Sequence, residues 1–241
     1  MLPLLLMATP VLSVMTWPTT LRGDRTATRI TSPRLAESES VFDQRGWAEL
    51  QQQLDALPVF TCADEAGTPL EVQLSGQTKP LAVFYADVEA AELALAKARA
   101  TRIGQSLDLI PFPLGKAYRL TSDGEGIIVP SAKELAMAGA PADSSPVGQA
   151  LPLFACMEMA EEVEGGGGRL PLFMSSAEAN AAMAEATAAD EPDAKLEMVC
   201  LSLQRAIELL VTVPDSPAFR FVPPSSSLIY IQSYLDQSEP I

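Results

Sequence analysis

Apolar residues first recur three and four apart at Val41, Phe42, Trp47, Leu50 and Leu54, which predicts an amphipathic helix over Val41 to Ala56. The pattern then changes to short apolar runs between polar turns. Leu57 to Ala63 reads as a strand, closed by the acidic turn Asp64-Glu65-Ala66-Gly67. Leu70 to Leu74 alternates as a strand does, and Pro80 to Ala86 reads as a buried strand. Asp87 is a helix cap for an alanine-rich stretch to Arg99. Strand Leu109 to Phe112, helix Leu114 to Leu120, strand Ile127 to Val129 and a small helix to Met137 follow. After the Gly- and Pro-containing stretch from Gly139 to Pro146 the order begins again. It gives strand Leu151 to Cys156, an acidic, glycine-rich turn from Glu161 to Gly168, and strand Leu170 to Met174. Helix Ala177 to Ala188, strand Met198 to Leu201, helix Leu203 to Val211, strand Ala218 to Val222 and a closing helix from Ser226 to Leu235 complete it.

The recurrence extends to the residues themselves. Ala56-Leu57-Pro58-Val59-Phe60-Thr61-Cys62 returns as Ala150-Leu151-Pro152-Leu153-Phe154-Ala155-Cys156. Leu81 to Tyr85 is echoed by Leu170 to Met174, and Leu107 to Ile110 and Leu114 to Leu120 by Leu196 to Val199 and Leu203 to Leu209 at an offset of 89. A period this long means a duplicated half-domain, not a solenoid. The expected fold is α+β, with two pseudo-twofold-related repeats, each a mostly antiparallel sheet flanked by helices. Residues 37–138 and 150–241 are the repeats and 139–149 the linker, with the second strand weak or missing in the second copy.

Charge is divided along the chain. Of the net −15, residues 1–36 contribute four arginines (Arg22, Arg25, Arg29 and Arg34) against Asp24, leaving twelve basic and thirty acidic residues after them. An acidic body gives phosphate backbones no basic surface, so no nucleic-acid partner is expected, and it attracts basic partners. Residues 1–36 have their own character. Leu2 to Val14 is almost wholly apolar, and the Arg-, Thr- and Ser-rich stretch to Arg34 is nearly free of acid. A signal-like segment followed by a transit-like one predicts a two-part address to a complex plastid; the alternative is an uncleaved N-terminus that touches a membrane.

No histidine is present, which removes Ser-His-Asp and Cys-His catalysis and histidine-ligated metals. Cys62, Cys156 and Cys200 lack CxxC spacing. Cys62 and Cys156 occupy equivalent repeat positions, which leaves either a symmetric disulfide or buried free thiols. Gly165 to Gly168 lacks the lysine and Ser/Thr of a phosphate loop. Asp64 with Glu65, and Glu158 with Glu161 and Glu162, read as solvated turn carboxylates; Lys116 and Arg205, at one repeat position, read as an exposed helix face. The expectation is a non-enzyme with no catalytic residue, cofactor or metal. The remaining candidate chemistry is apolar. Phe60, Phe84, Phe112, Phe154, Met157, Phe173 and Met174 lie on or beside related strands and are the candidate lining of a groove between the halves.

Ala56 to Phe60, Leu81 to Tyr85, the run from Ile110 to Leu120 and Ala218 to Pro223 together resemble the Tic-twenty-two family over roughly Val41 to Leu235. The resemblance implies a soluble, pseudo-symmetric α plus β protein with hydrophobic surface pockets. It further implies a chaperone-like or adaptor role in plastid protein import, at the envelope space or peripheral to a plastid membrane. Unfolded precursor proteins and translocon components are the implied partners. A structural subunit docked on a plastid membrane complex, such as a photosynthetic assembly at the thylakoid, is the alternative.

Overall fold

Pro58–Ala63 forms strand β1, buried at every position. Behind it come β2 (Glu71–Val72), β3 (Leu81–Tyr85), α2 (Val88–Arg99), β4 (Asp108–Pro113), α3 (Leu114–Ser122), β5 (Gly126–Val129) and α4 (Ala132–Met137), with α1 (Trp47–Asp55) preceding them. The second half supplies β6 (Pro152–Cys156), β7 (Glu161–Glu162), β8 (Gly168–Phe173), α5 (Ser176–Ala189), β9 (Met198–Ser202), α6 (Leu203–Leu210), β10 (Phe219–Val222) and α7 (Ser225–Ser238). The computed structural model describes residues 40–101, 106–162, 168–189, 196–212 and 219–238. The N-terminal segment read as a leader therefore lies outside the described residues, as does most of the glycine run.

The strands build two sheets of five, ordered β2-β3-β1-β4 with β5 on β3, and β10-β8-β6-β9 with β7 on β8. Neighbouring pairs are antiparallel except β3 with β5 and β8 with β10. The fold is thus α+β, with antiparallel-rich sheets flanked by helices. Equivalent residues make equivalent pairs: Phe60 faces Pro111 across β1 and β4, and Phe154 faces Cys200 across β6 and β9.

Strand alternation decides where the core sits. Val59 and Phe84 from the first sheet and Leu153, Leu170, Leu172 and Met174 from the second meet in one cluster, together with α1, α3 and α6. The opposite faces hold Phe60 and Cys62 under α2, and Phe154 and Phe173 under α5. The closing helices are exchanged between halves. Tyr230 of α7 packs edge-on against Phe60 with ring centroids 5.4 Å apart, and its hydroxyl donates to the Leu109 carbonyl oxygen at 2.9 Å. Reciprocally, Glu134 of α4 accepts from the Ser176 amide of α5 at 2.8 Å.

Three expectations change. The helix read over Val41 to Ala56 is interrupted: a 3-10 turn at Val41–Asp43 ends where Gln44 turns extended (ψ 145°), and α1 starts at Trp47. Phe42 folds back edge-on against Trp47 at 4.7 Å, which one continuous helix would prevent. The strand read over Leu70 to Leu74 shortens to Glu71–Val72, with Leu70 before it bonded to Cys62 and Val83. In the second copy the region read as a turn does form a short strand, with Glu161 facing Arg169 and Glu162 facing Gly168.

Candidate functional site

The seam between the halves holds a cavity of about 410 Å³. Four helices, α2, α4, α5 and α7, begin around it, because each follows a strand that ends at this side of its sheet. Leu93, Leu151 and Met174 give it an apolar lining, while Asp87, Glu134 and Glu178 with Lys133 supply charge. Helix starts carry unpaired amides and partial positive charge, and the carboxylates answer both. Asp87 accepts from the Ala90 amide at 2.7 Å, Glu134 from Ser176, and Glu178 from the Ser225 amide at 2.7 Å. Glu178 therefore caps a neighbouring helix, not its own.

Burial alone would raise the Glu178 carboxyl, but hydrogen bonds from Ser225 and Ser175 and the Lys133 charge bring it below its ordinary value of 4.5. A carboxyl lowered on folding stabilises the fold above its unfolded range and stops doing so as pH falls through the folded value. Glu178→Ala should cost about 1 kcal/mol near neutral pH, as lost helix caps do. The gap from the parent protein should close as the pH drops below 4.5, a trend that urea melts across pH would record.

Of the seven apolar candidates, Met174 alone lines the seam cavity. Phe60, Phe84 and Phe154 have no exposed surface, and Phe173 and Met174 very little. Phe84 stacks on the half-buried Phe112 at 4.8 Å. Phe112 borders a separate pocket of about 170 Å³ with Leu57 and Ile231. Met157 is 62% exposed, on a 3-10 turn after β6. These side chains are divided between the two faces of each sheet, so most of them fill the interior instead of sharing one groove.

Apart from Met157, exposed apolar side chains lie elsewhere. Leu228, Ile229 and Leu235 stand out from α7, Ile229 with 68% of its surface open, and Leu93 stands out from the adjoining α2. The signal was present in Leu228-Ile229-Tyr230-Ile231, four successive apolar residues of which one helix face cannot bury all. Tyr230 turns inward and Ile229 is left outside.

Several of the remaining candidates have structural partners. Asp64 accepts from the Ala66 and Thr68 amides, and the Thr68 backbone bond is the main reason its carboxyl lies low. Glu161 pairs with Arg220 at 2.9 Å, and the Cys156 thiol donates to Glu158 at 3.0 Å. Arg205 pairs with Glu208, and the Lys116 amide donates to Asp55. All three cysteines are free; Cys62 and Cys156 are buried and Cys200 is exposed. Burial raises the Cys62 thiol, and burial followed by Glu158 raises Cys156. Burial and then Glu134 raise the Cys200 thiol as well, so access decides the order: a thiol reagent should label Cys200 in the folded protein and the other two only after denaturation. Mass spectrometry of peptides from a timed labelling would check this order.

Among solved structures, Tic22 from Plasmodium falciparum superposes with a TM-score of 0.63 at 16% identity, over 79% of this chain and 99% of that one. Anabaena Tic22, a protein-transport protein, gives 0.58 at 18% identity, over 78% and 96%. The chain has a Tic22-like fold. No protein-family model matches the sequence, and no curated protein does. The Tic22-like part takes in nearly the whole of both neighbours.

Proposed function

We propose that the chain is a non-enzymatic plastid protein import factor, which holds segments of precursor proteins for translocon components at a plastid envelope. The observation that carries the reading is the Tic22-like fold over about four fifths of the chain. The surface agrees with it. An excess of fifteen negative charges attracts a basic targeting segment. The open leucines and isoleucine of α7 give apolar residues of an unfolded client a place to rest. Adjacent apolar and acidic surface suits weak, reversible and salt-sensitive capture.

The test uses the purified chain and a purified plastid precursor with and without its targeting segment. Binding should require that segment, weaken as salt rises, and drop on the order of tenfold in Leu228→Asp with Ile229→Asp, a loss of about 1.4 kcal/mol. Indifference to both changes would end the reading. Co-purification from native plastid membranes in fixed stoichiometry with one complex would favour the docked subunit.

A further inference from the structure

The two sheets have equivalent edge strands, β4 and β9; among the described residues one is closed and the other open. In the first half the Leu114 amide donates to Leu57 on β1 at 2.9 Å, so by strand alternation the backbone groups of Leu109, Pro111 and Pro113 point away from the sheet. Two of these are prolines with no N–H to offer, and the carbonyl of the third already accepts the Tyr230 hydroxyl. Of the outward donors only the Leu109 N–H remains, so the alternating donor and acceptor row that another strand would pair with is broken.

In the second half the Leu203 amide donates to Leu151 on β6 at 2.8 Å, which turns the backbone groups of Met198, Cys200 and Ser202 outward. The residues equivalent to Pro111 and Pro113 are Cys200 and Ser202, and both keep the N–H. The helix that would cover the strand, α4, stops at Met137 after six residues, whereas α7 runs for fourteen. Cys200, on the face with Phe154, is exposed, and Val199 is exposed on the other face. Acidic groups flank the strand: Glu197 precedes it, and Glu158 lies beside Cys156 of the paired strand.

We infer that β9 is a docking edge for an extended apolar peptide segment flanked by lysine or arginine, which adds to the sheet as a further strand. Backbone hydrogen bonds from Met198 and Cys200 supply sequence-tolerant affinity, and the flanking carboxylates favour basic neighbours. A second copy of this acidic chain is the poorer occupant, since like charge would meet like charge. The assignment rests on the import reading above and gives it a binding mode.

The probe is a labelled peptide with an alternating Val-Thr core between lysine pairs, followed by fluorescence anisotropy with the full chain. Cys200→Pro with Ser202→Pro copies the closed edge onto β9; Ser202 already has φ −77°, close to the −65° of Pro113. Binding should fall on the order of tenfold or more, the size expected for one or two lost backbone bonds. Cys200→Ser should bind as the parent does. On the unaltered protein, the same peptide N-methylated at alternate residues should lose binding to a similar degree, a comparison that stands whether or not the proline variant folds. Equal affinity for the methylated peptide, or for a folded proline variant, overturns the edge while leaving precursor binding intact. Failure of both peptide and precursor to bind takes the import reading down as well. A dimer in sedimentation velocity that Cys200→Pro dissolves would make a second copy the occupant and overturn the peptide assignment.

Discussion

Phe60→Ala and Phe154→Ala should each lower the stability of the chain by about 3–5 kcal/mol, among the costliest single truncations available in this fold. Both rings are fully buried. Phe60 loses its contact with Tyr230 and leaves a void beside Cys62 and Val88; Phe154 leaves one among Phe173, Ala179 and Met198. Tyr230 in turn loses the surface that seats α7 on the first half, so its bond to Leu109 should weaken together with the core. Urea unfolding followed by tryptophan fluorescence would measure both losses. Met157→Ala, by comparison, should fall within about 0.5 kcal/mol, because that side chain is 62% exposed. A loss below about 1 kcal/mol at either phenylalanine would contradict the interior placement and return these rings to a surface role.

These two positions also show what the sequence could and could not disclose. The echo of Ala56 to Cys62 in Ala150 to Cys156 carried the duplication into the fold, because the same alternation puts Val59 and Leu153 on one face and Phe60 and Phe154 on the other. The echo of Leu81 to Tyr85 in Leu170 to Met174 is displaced by one residue. Phe60 pairs with Tyr85, and Phe154 with Phe173, so Tyr85 corresponds to Phe173 and not to Met174. The helix caps agree: Asp87 begins α2 as Ser175 begins α5, and Ala91 and Ala179 are the buried alanines one turn further on. Identity between apolar residues is blind to a single-residue slip, although the slip exchanges the faces of every side chain in the strand. Phe84 and Phe173 therefore lie on opposite sides of their sheets. A groove built from equivalent phenylalanines fails for that reason.

The exchange of closing helices was hidden for a different cause. No residue in Ser225 to Ser238 states which sheet it will cover, and the choice depends on long-range fit: Tyr230 reaches Leu109 across 121 residues of sequence. The open edge of β9 was half legible. Pro111 and Pro113 stood in the sequence opposite Cys200 and Ser202 at the constant offset of 89. Their meaning needed the direction of each amide, which only the ladder provides.

Gly46→Ala should cost about 1–3 kcal/mol, and Gly46→Val at least as much, for want of a few tenths of an ångström. Gly46 has an ordinary backbone, with φ −73°, so conformation does not demand glycine there. Space does. A Cβ at this position would lie 2.7 Å from the Val211 carbonyl oxygen and 3.0 Å from its Cα. Val211 caps the end of α6 with its amide bonded to Ile207, and it is buried, so the obstructing atoms are fixed backbone and not the tip of a flexible chain. The contact matters because α1, the helix that Gly46 opens, has no counterpart in the second half. Trp47, Leu50 and Leu54 of α1 enter the same core as Leu203, Ala206 and Ile207 of α6, and Gly46 sets how close the two may come. Shortening the neighbouring side chain should give no relief: Gly46→Ala with Val211→Ala should be less stable than either single change, as read from denaturant midpoints. Recovery in that double variant would show that the Val211 side chain, and not its backbone, is what the glycine makes room for.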